Sequence, residues 1–192
     1  MLKAFSFILF LSLVLCACNR SCVGSTCSVS GSTGYETCRC ATHEYGYVKR
    51  EYALCQGQGA TYVDMNVGGY GCSTNGQGTK AQLETKSREA SYMFVPRCTA
   101  SSATQCSQTL QRSGCQISGQ NAKCSSEFFT HGSLTWLIPK CQAYAAHQCS
   151  ITCGGIYSCS KQCGSGKYAY CRCGANQNTG YLQANCGCSN YP

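Results

Sequence analysis

Large apolar side chains are scarce in this chain. Beyond residue 17 there are six Val, six Leu, four Ile and three Phe among 175 positions, below the roughly one-fifth at which a sequence can be expected to build an ordinary core. After the first fifteen residues no apolar run approaches the roughly 18 needed to cross a bilayer as a helix, so a second membrane anchor of that kind is not expected. Charge is thin as well: 11% of residues are charged, and Lys49-Arg50 is the only adjacent pair of cations. No segment is dense enough to act as a nucleic-acid-binding arm. A Gly-x-Ser-x-Gly elbow, a His-Glu-x-x-His zinc site and a phosphate-binding Gly-Lys loop are all missing. Low-complexity Tyr-Gly repeats are missing too, which weakens a purely structural role.

What the chain has instead is cysteine, 21 in 192 residues, the composition of a disulfide-stapled extracellular scaffold. The beginning agrees. Lys3 precedes the apolar run Ala4 to Leu15, and Cys16-Ala17 offers small residues for cleavage, so residues 1–17 read as a signal peptide. Removing them leaves twenty cysteines, an even number that can form ten bridges. The same stretch, Leu15-Cys16-Ala17-Cys18, also resembles a bacterial lipobox, in which Cys18 would carry lipid and anchor the chain to a membrane. Thiolate clusters such as Cys38/Cys40, Cys171/Cys173 and Cys186/Cys188 bind metal in reducing compartments. Export favours oxidation, so neither a metal nor another cofactor is expected.

The cysteines are patterned. Cys18, Cys22, Cys27, Cys38, Cys40 and Cys55 follow one another at steps of 4, 5, 11, 2 and 15 residues. Cys149, Cys153, Cys159, Cys171, Cys173 and Cys186 follow at 4, 6, 12, 2 and 13. Tyr35-Glu36-Thr37-Cys38-Arg39-Cys40 also matches Tyr168-Ala169-Tyr170-Cys171-Arg172-Cys173. The spacing therefore predicts a duplicated module, with one copy at 18–55, a second at 141–192 and a central region at 56–140. Cys163 and Cys188 have no counterparts in the first copy, which makes a bridge between them the natural expectation.

Cys141, Ala145, Cys149 and Cys153 recur every four residues between Pro139 and Gly154-Gly155, which predicts a helix over 140–153. Tyr-rich 167–173 and 181–188 read as strands joined by a polar turn. Ser101 to Arg112 reads as a polar helix. The expected fold class is thus small disulfide-rich α+β, two cysteine modules flanking a stapled centre with short helices and strands. Cys141, Cys149, Cys153, Cys163, Cys171 and Cys173 leave gaps of 7, 3, 9, 7 and 1 residues, and in this 33-residue stretch the chain resembles the cysteine-stabilised αβ proteins, the defensin and scorpion-toxin superfamily. The resemblance implies bridges from Cys149 and Cys153 to Cys171 and Cys173, a third from Cys141 to Cys163, and membrane-directed or channel-directed activity.

The one concentrated apolar cluster, Phe128, Phe129, Leu134, Trp136, Leu137 and Ile138, is expected in the core. A ribonuclease-like acid/base site could draw on His43, His147 and Lys140, although nothing in the sequence brings them together; His131 follows the Phe pair. The net charge of +8, or +7 without Lys3, suits attraction to anionic surfaces. Lys49, Arg50, Lys161, Lys167 and Arg172 are the candidate contacts, chosen because they lie in the two modules. The function expected is a secreted binding or defence effector directed at an anionic membrane surface, a glycan or a protein receptor, with no nucleic-acid partner. A structural or adhesive extracellular protein is the alternative, and a disulfide-rich enzyme the third.

Overall fold

A computed structural model describes residues 16–31, 35–88, 91–176 and 178–191. Among these residues every regular element is a strand, so the fold is all-β and not the α+β arrangement expected from the sequence. The fourteen strands are β1 (Cys16–Cys22), β2 (Ser25–Gly31), β3 (Glu36–Tyr45), β4 (Val48–Gly57), β5 (Ala60–Val67), β6 (Tyr70–Gln77), β7 (Thr79–Arg88), β8 (Ser91–Thr99), β9 (Ser102–Leu110), β10 (Ser113–His131), β11 (Leu134–Cys153), β12 (Tyr157–Lys161), β13 (Tyr168–Ala175) and β14 (Leu182–Ser189). They form two antiparallel sheets. The larger runs β1-β2-β5-β6-β9-β10-β11-β13-β14, with β12 paired to β11, and the smaller runs β3-β4-β7-β8.

The expected helix over 140–153 is the second half of β11. Its error is instructive, because a four-residue recurrence puts side chains on one face of a strand as well as of a helix. Two-residue alternation decides the matter: Cys141 and Ala143 are buried, then Cys149, Ile151 and Cys153. Both runs fall on odd positions; between them the alternation is interrupted at a bulge where Ala145 takes a left-handed φ of 46° and Ala146 is buried in its place. Opposite it, Gly119 has no room for a side chain, since a Cβ there would lie 2.7 Å from Ala146 Cα. Ser101–Arg112 is likewise not helical. It contains β9, whose Cys106, Gln108 and Leu110 alternate inward. The bridges Cys149–Cys171 and Cys153–Cys173 form, as does the expected Cys163–Cys188, but Cys141 is joined to Cys115 and not to Cys163, and without a helix the αβ arrangement of the defensin-like proteins is not formed among the described residues.

Ten bridges join the twenty cysteines from Cys18 onward. Their placement exposes a simple plan: the chain makes one hairpin, then a second that packs against the first, four times over. The first pair is β1-β2 against β3-β4, and the second is β5-β6 against β7-β8. In the third, β9 and residues 113–118 of β10 oppose residues 120–131 of β10 and 134–144 of β11. In the fourth, residues 148–153 of β11 and β12 oppose β13-β14. Bridges link first strand to third and second to fourth. The second-to-fourth bridge occurs in every pair: Cys27–Cys55, Cys72–Cys98, Cys115–Cys141 and Cys159–Cys186.

Adjacent hairpin pairs meet in one register. In the first layer Cys27 faces Met65, Cys72 faces Gln108 and Cys115 faces Ile151. Within their own hairpins Met65, Gln108 and Ile151 in turn face Cys72, Cys115 and Cys159. All three are buried. Their counterpart in the first hairpin, opposite Cys27, is Arg20, which is exposed and directs its Nε toward Cys40 Sγ at 3.4 Å. Among the described residues no strand pairs with the outer edge of β1, and a charge on such an edge blocks strand addition by another molecule. Replacing this charge by a branched apolar residue, Arg20→Ile, should produce concentration-dependent head-to-tail association in sedimentation velocity, with the parent chain unaffected; a variant that stays monomeric at all concentrations refutes the capping role.

Residues 1–15 of the expected leader lie outside the described residues. Cys16 and Ala17 pair with Gly31 and Ser30 at the end of β1. Among the described residues no helix is long and apolar enough to cross a membrane.

Candidate binding cleft

In the second layer the same plan sets a second register. Cys55 faces Ala81 where β4 meets β7, and Cys141 faces Cys171 where β11 meets β13. The equivalent junction between β8 and the second half of β10 would pair Cys98 with Cys124. Arg97 would then face Ser125, Thr99 would face Lys123 and Ala100 would face Ala122. These pairs do not form among the described residues: the backbone ladder of β8 is with β7, and that of residues 120–131 of β10 is with β11. The unmade seam is a cleft of about 370 Å³ lined by Arg97 to Ala100, Ala122 to Ser125, Glu127, Lys140 and Gln142.

Local chemistry explains why the seam stays open. Pro96 interrupts the β8 edge with a residue that has no N–H, and the carbonyl of Pro96 accepts a 3.4 Å hydrogen bond from Nε2 of buried Gln108 in the layer beneath. Gln108 occupies the position held by Met65 and Ile151 at the other junctions. Thr74, also buried, forms part of the cleft floor. Cationic Arg97 and Lys123 stand on the two facing edges, where they would oppose closure and edge pairing alike.

The cleft continues along the outer face of β11 and β13. A neighbouring hollow is lined by Ser101, Asn121, Lys123, Gln142 and Tyr168, and a further one by Lys140, Gln142, Tyr168, Tyr170, Arg172 and Tyr191. The strand registers place Lys140 opposite Arg172, Gln142 opposite Tyr170 and Tyr144 opposite Tyr168. Alternate residues on the same strands, Cys141, Ala143, Ala169 and Cys171, are buried. One face of this four-stranded corner is therefore disulfide core and the other a polar, cationic surface with tyrosine rings. Tyr170 lies across Gly187, in the space a Cβ there would need, and Tyr144 packs on Tyr168 at 5.1 Å between centroids. Glu84 approaches Arg97 at 3.4 Å and Glu127 approaches Lys140 at 3.9 Å. Lys123 and Arg172 make no ion pair among the described residues.

Of the five cations singled out in the sequence, only Arg172 belongs to this surface. Lys49 pairs with Glu44 at 2.8 Å, and Arg50 lies over the Phe94 ring at 5.8 Å beside a shallow hollow on the smaller sheet. Lys161 ends the exposed strand β12, and Lys167 stands exposed before β13. Choosing cations by module missed Arg97, Lys123 and Lys140, which belong to the central region and its boundary. The alternation Lys140-x-Gln142 beside Tyr168-x-Tyr170-x-Arg172 was a usable signal, hidden by the helical reading.

The apolar cluster departs from expectation too. Ile138 is buried, but Phe128, Phe129, Trp136 and Leu137 are only partly so, and Leu134 is 59% exposed at the tip of the β10-β11 hairpin. Trp136 stacks on Phe129 at 6.2 Å and, with Leu134, Ile156, Tyr157 and Tyr181, borders an apolar hollow on the surface.

The histidines are not assembled with Lys140. His43 sits on β3, bonded to Thr85 Oγ1 at 2.7 Å and edge-on to Tyr52 and Phe94. His131 is beside Gly180, and the side chain of His147 lies outside the described residues. The clusters with metal-like spacing, Cys27/Cys38/Cys55, Cys106/Cys124/Cys141 and Cys22/Cys40/Glu51, use cysteines that are all bridged, which leaves no thiolate to coordinate an ion. Burial raises the phenol pKa values of Tyr52 and Tyr62 above 10, and Asp64 adds to the effect at Tyr62; neither lines the cleft.

No family model matches the sequence, and neither a curated protein nor a solved structure matches it.

Proposed function

We propose that this chain acts outside the cell as a rigid binding scaffold, four copies of one stapled hairpin pair, that holds an anionic ligand in the cleft between β8 and β10. One observation carries the reading: among the described residues the cleft lies at the single inter-pair junction whose ladder is unmade, and it is cationic. A departure from an otherwise regular plan is where function is to be sought. Ten bridges support the extracellular setting. Cys18 is engaged with Cys38, which supports a free secreted chain over one lipidated at Cys18, because a bridged sulfur cannot also carry a thioether. The site works by binding, through cations held on a stiff frame, and no proton-transfer group is required of it.

The test is a charge reversal. The folded chain is offered to immobilised acidic polysaccharides, anionic vesicles and acidic proteins. Arg97→Glu combined with Lys123→Glu should lower binding to the preferred class at least tenfold, whereas Lys49→Glu with Arg50→Glu should change it by less than twofold. Equal losses from both variants, or loss only when Trp136 and Tyr181 are replaced by Ala, would move the binding site away from the cleft.

A further inference from the structure

We infer that the ligand is a linear acidic polysaccharide, lying from the open seam across β11 to β13. This rests on the cleft being the binding site and names what it takes. The first argument is the layout of charge. Lys123, Lys140 and Arg172 stand on three successive strands, β10, β11 and β13, and neighbouring strands are about 5 Å apart. Lys140 faces Arg172 directly, and Lys123 faces Gln142, two residues from Lys140. The result is a line of positive charge running across the strands. A compact anion such as phosphate spans at most the facing pair Lys140 and Arg172 and leaves Lys123 unengaged; a polymer carrying a carboxylate or sulfate on successive sugars can engage the series.

The second argument is what stands between the charges. Tyr168 and Tyr170 are half-buried, with ring area facing outward, and Tyr170 is seated on Gly187. Flat, firmly held rings suit the C–H faces of sugars, while the Gln142 amide can both donate to and accept from hydroxyls. The third argument concerns the competitors. A peptide strand adding to either edge would meet Pro96 on one side and Lys123 on the other, both of which discourage strand pairing. A membrane would call for exposed aliphatic side chains, and those lie elsewhere, at Val23, Val48, Leu134 and Ile156, whereas the rings on this surface are tyrosines.

The experiment is calorimetry on the oxidised full-length secreted chain with a heparin-derived hexasaccharide and a hyaluronan hexasaccharide. A neutral cello-oligosaccharide, an acidic heptapeptide and an oligo-dT of similar charge serve as comparisons. At least one acidic hexasaccharide should bind, and the neutral one should not. Lys123→Ser with Arg172→Ser should weaken binding at least tenfold and flatten its salt dependence. Tyr170→Ala should weaken it severalfold with the salt dependence retained, a separation that a purely electrostatic patch would not show. Both sets replace side chains at the surface, and unchanged far-UV circular dichroism is the check on folding. Binding of the peptide or oligo-dT with no binding of either hexasaccharide overturns the polysaccharide while leaving an anionic cleft. Hexasaccharide binding indifferent to Lys123 and Arg172 overturns the placement, and failure of every anionic probe overturns this inference and the cleft reading together.

Discussion

Full reduction should unfold this protein in neutral buffer without denaturant, with loss of the β-strand circular dichroism signal and collapse of amide protection. The bridges close loops of 18 to 28 residues, each of which contributes about 3 to 4 kcal/mol in the chain-entropy view. These values do not simply add, but even about 1 kcal/mol from each of ten bridges would reach the roughly 5 to 15 kcal/mol that stabilises a typical domain. The hydrophobic side has little in reserve. Its largest fully buried side chains are Met65, Ile117 and Ile138, followed by Gln108 and valines, and half-cystines fill much of the remaining interior. Strand signal and slow amide exchange that persist after complete reduction and alkylation would show that the hairpins hold themselves, and would sink this account.

The cysteine spacing was legible in the sequence; most of the pairing and the secondary structure around it were not. Matching Cys18 to Cys55 with Cys149 to Cys186 needs only spacing, and spacing survives whatever conformation lies between. In both sets the first, second and third cysteines are joined to the fourth, fifth and sixth. Conformation depends on phase. In 140–153 the bulge at Ala145 breaks the two-residue alternation in the middle of β11, and what remains visible is a four-residue interval that helix and strand share. Burial of Cys141 and Ala143 against Ala169 and Cys171, contacts distant in sequence, is what selects the strand.

The two middle hairpin pairs escaped the cysteine spacing for a different reason. Measured along the register, Val63, Val67, Cys72, Ala81, Leu83 and Cys98 hold the six places in the second pair, and Cys106, Leu110, Cys115, Cys124, Ser126 and Cys141 hold them in the third. Two of the six places in the second pair and four of the six in the third are cysteine, so a cysteine-only comparison misses the shared pattern. The open seam was beyond reach of the sequence altogether. Its cause is a proline on one strand, a buried glutamine from another layer and cations on facing edges, and their meeting is a property of the assembled sheets.

An eleventh bridge should form when Val63 and Ala81 are both replaced by Cys. These residues hold the places that Cys18 and Cys38, Cys106 and Cys124, and Cys149 and Cys171 hold in the other three pairs, where the half-cystines stand with Cα atoms 5.8 to 6.1 Å apart. Val63 and Ala81 are themselves fully buried, and they lie on β5 and β7, the first and third strands of their pair. Where a bridge is missing, both halves are missing: Val63 with Ala81, Val67 with Leu83, Leu110 with Ser126. A paired loss is what a covalent constraint imposes, since one remaining half-cystine would be a free thiol in an oxidising compartment. Closing an 18-residue loop should add about 3 kcal/mol, less about 1 kcal/mol for the trimmed valine, raising Tm by about 4 to 8 °C for a chain of this size. Intact mass before and after alkylation would read the outcome directly. Eleven bridges with the higher Tm support four equivalent hairpin pairs; two free thiols in a folded protein would mean that β5 and β7 do not face one another as β1 and β3 do.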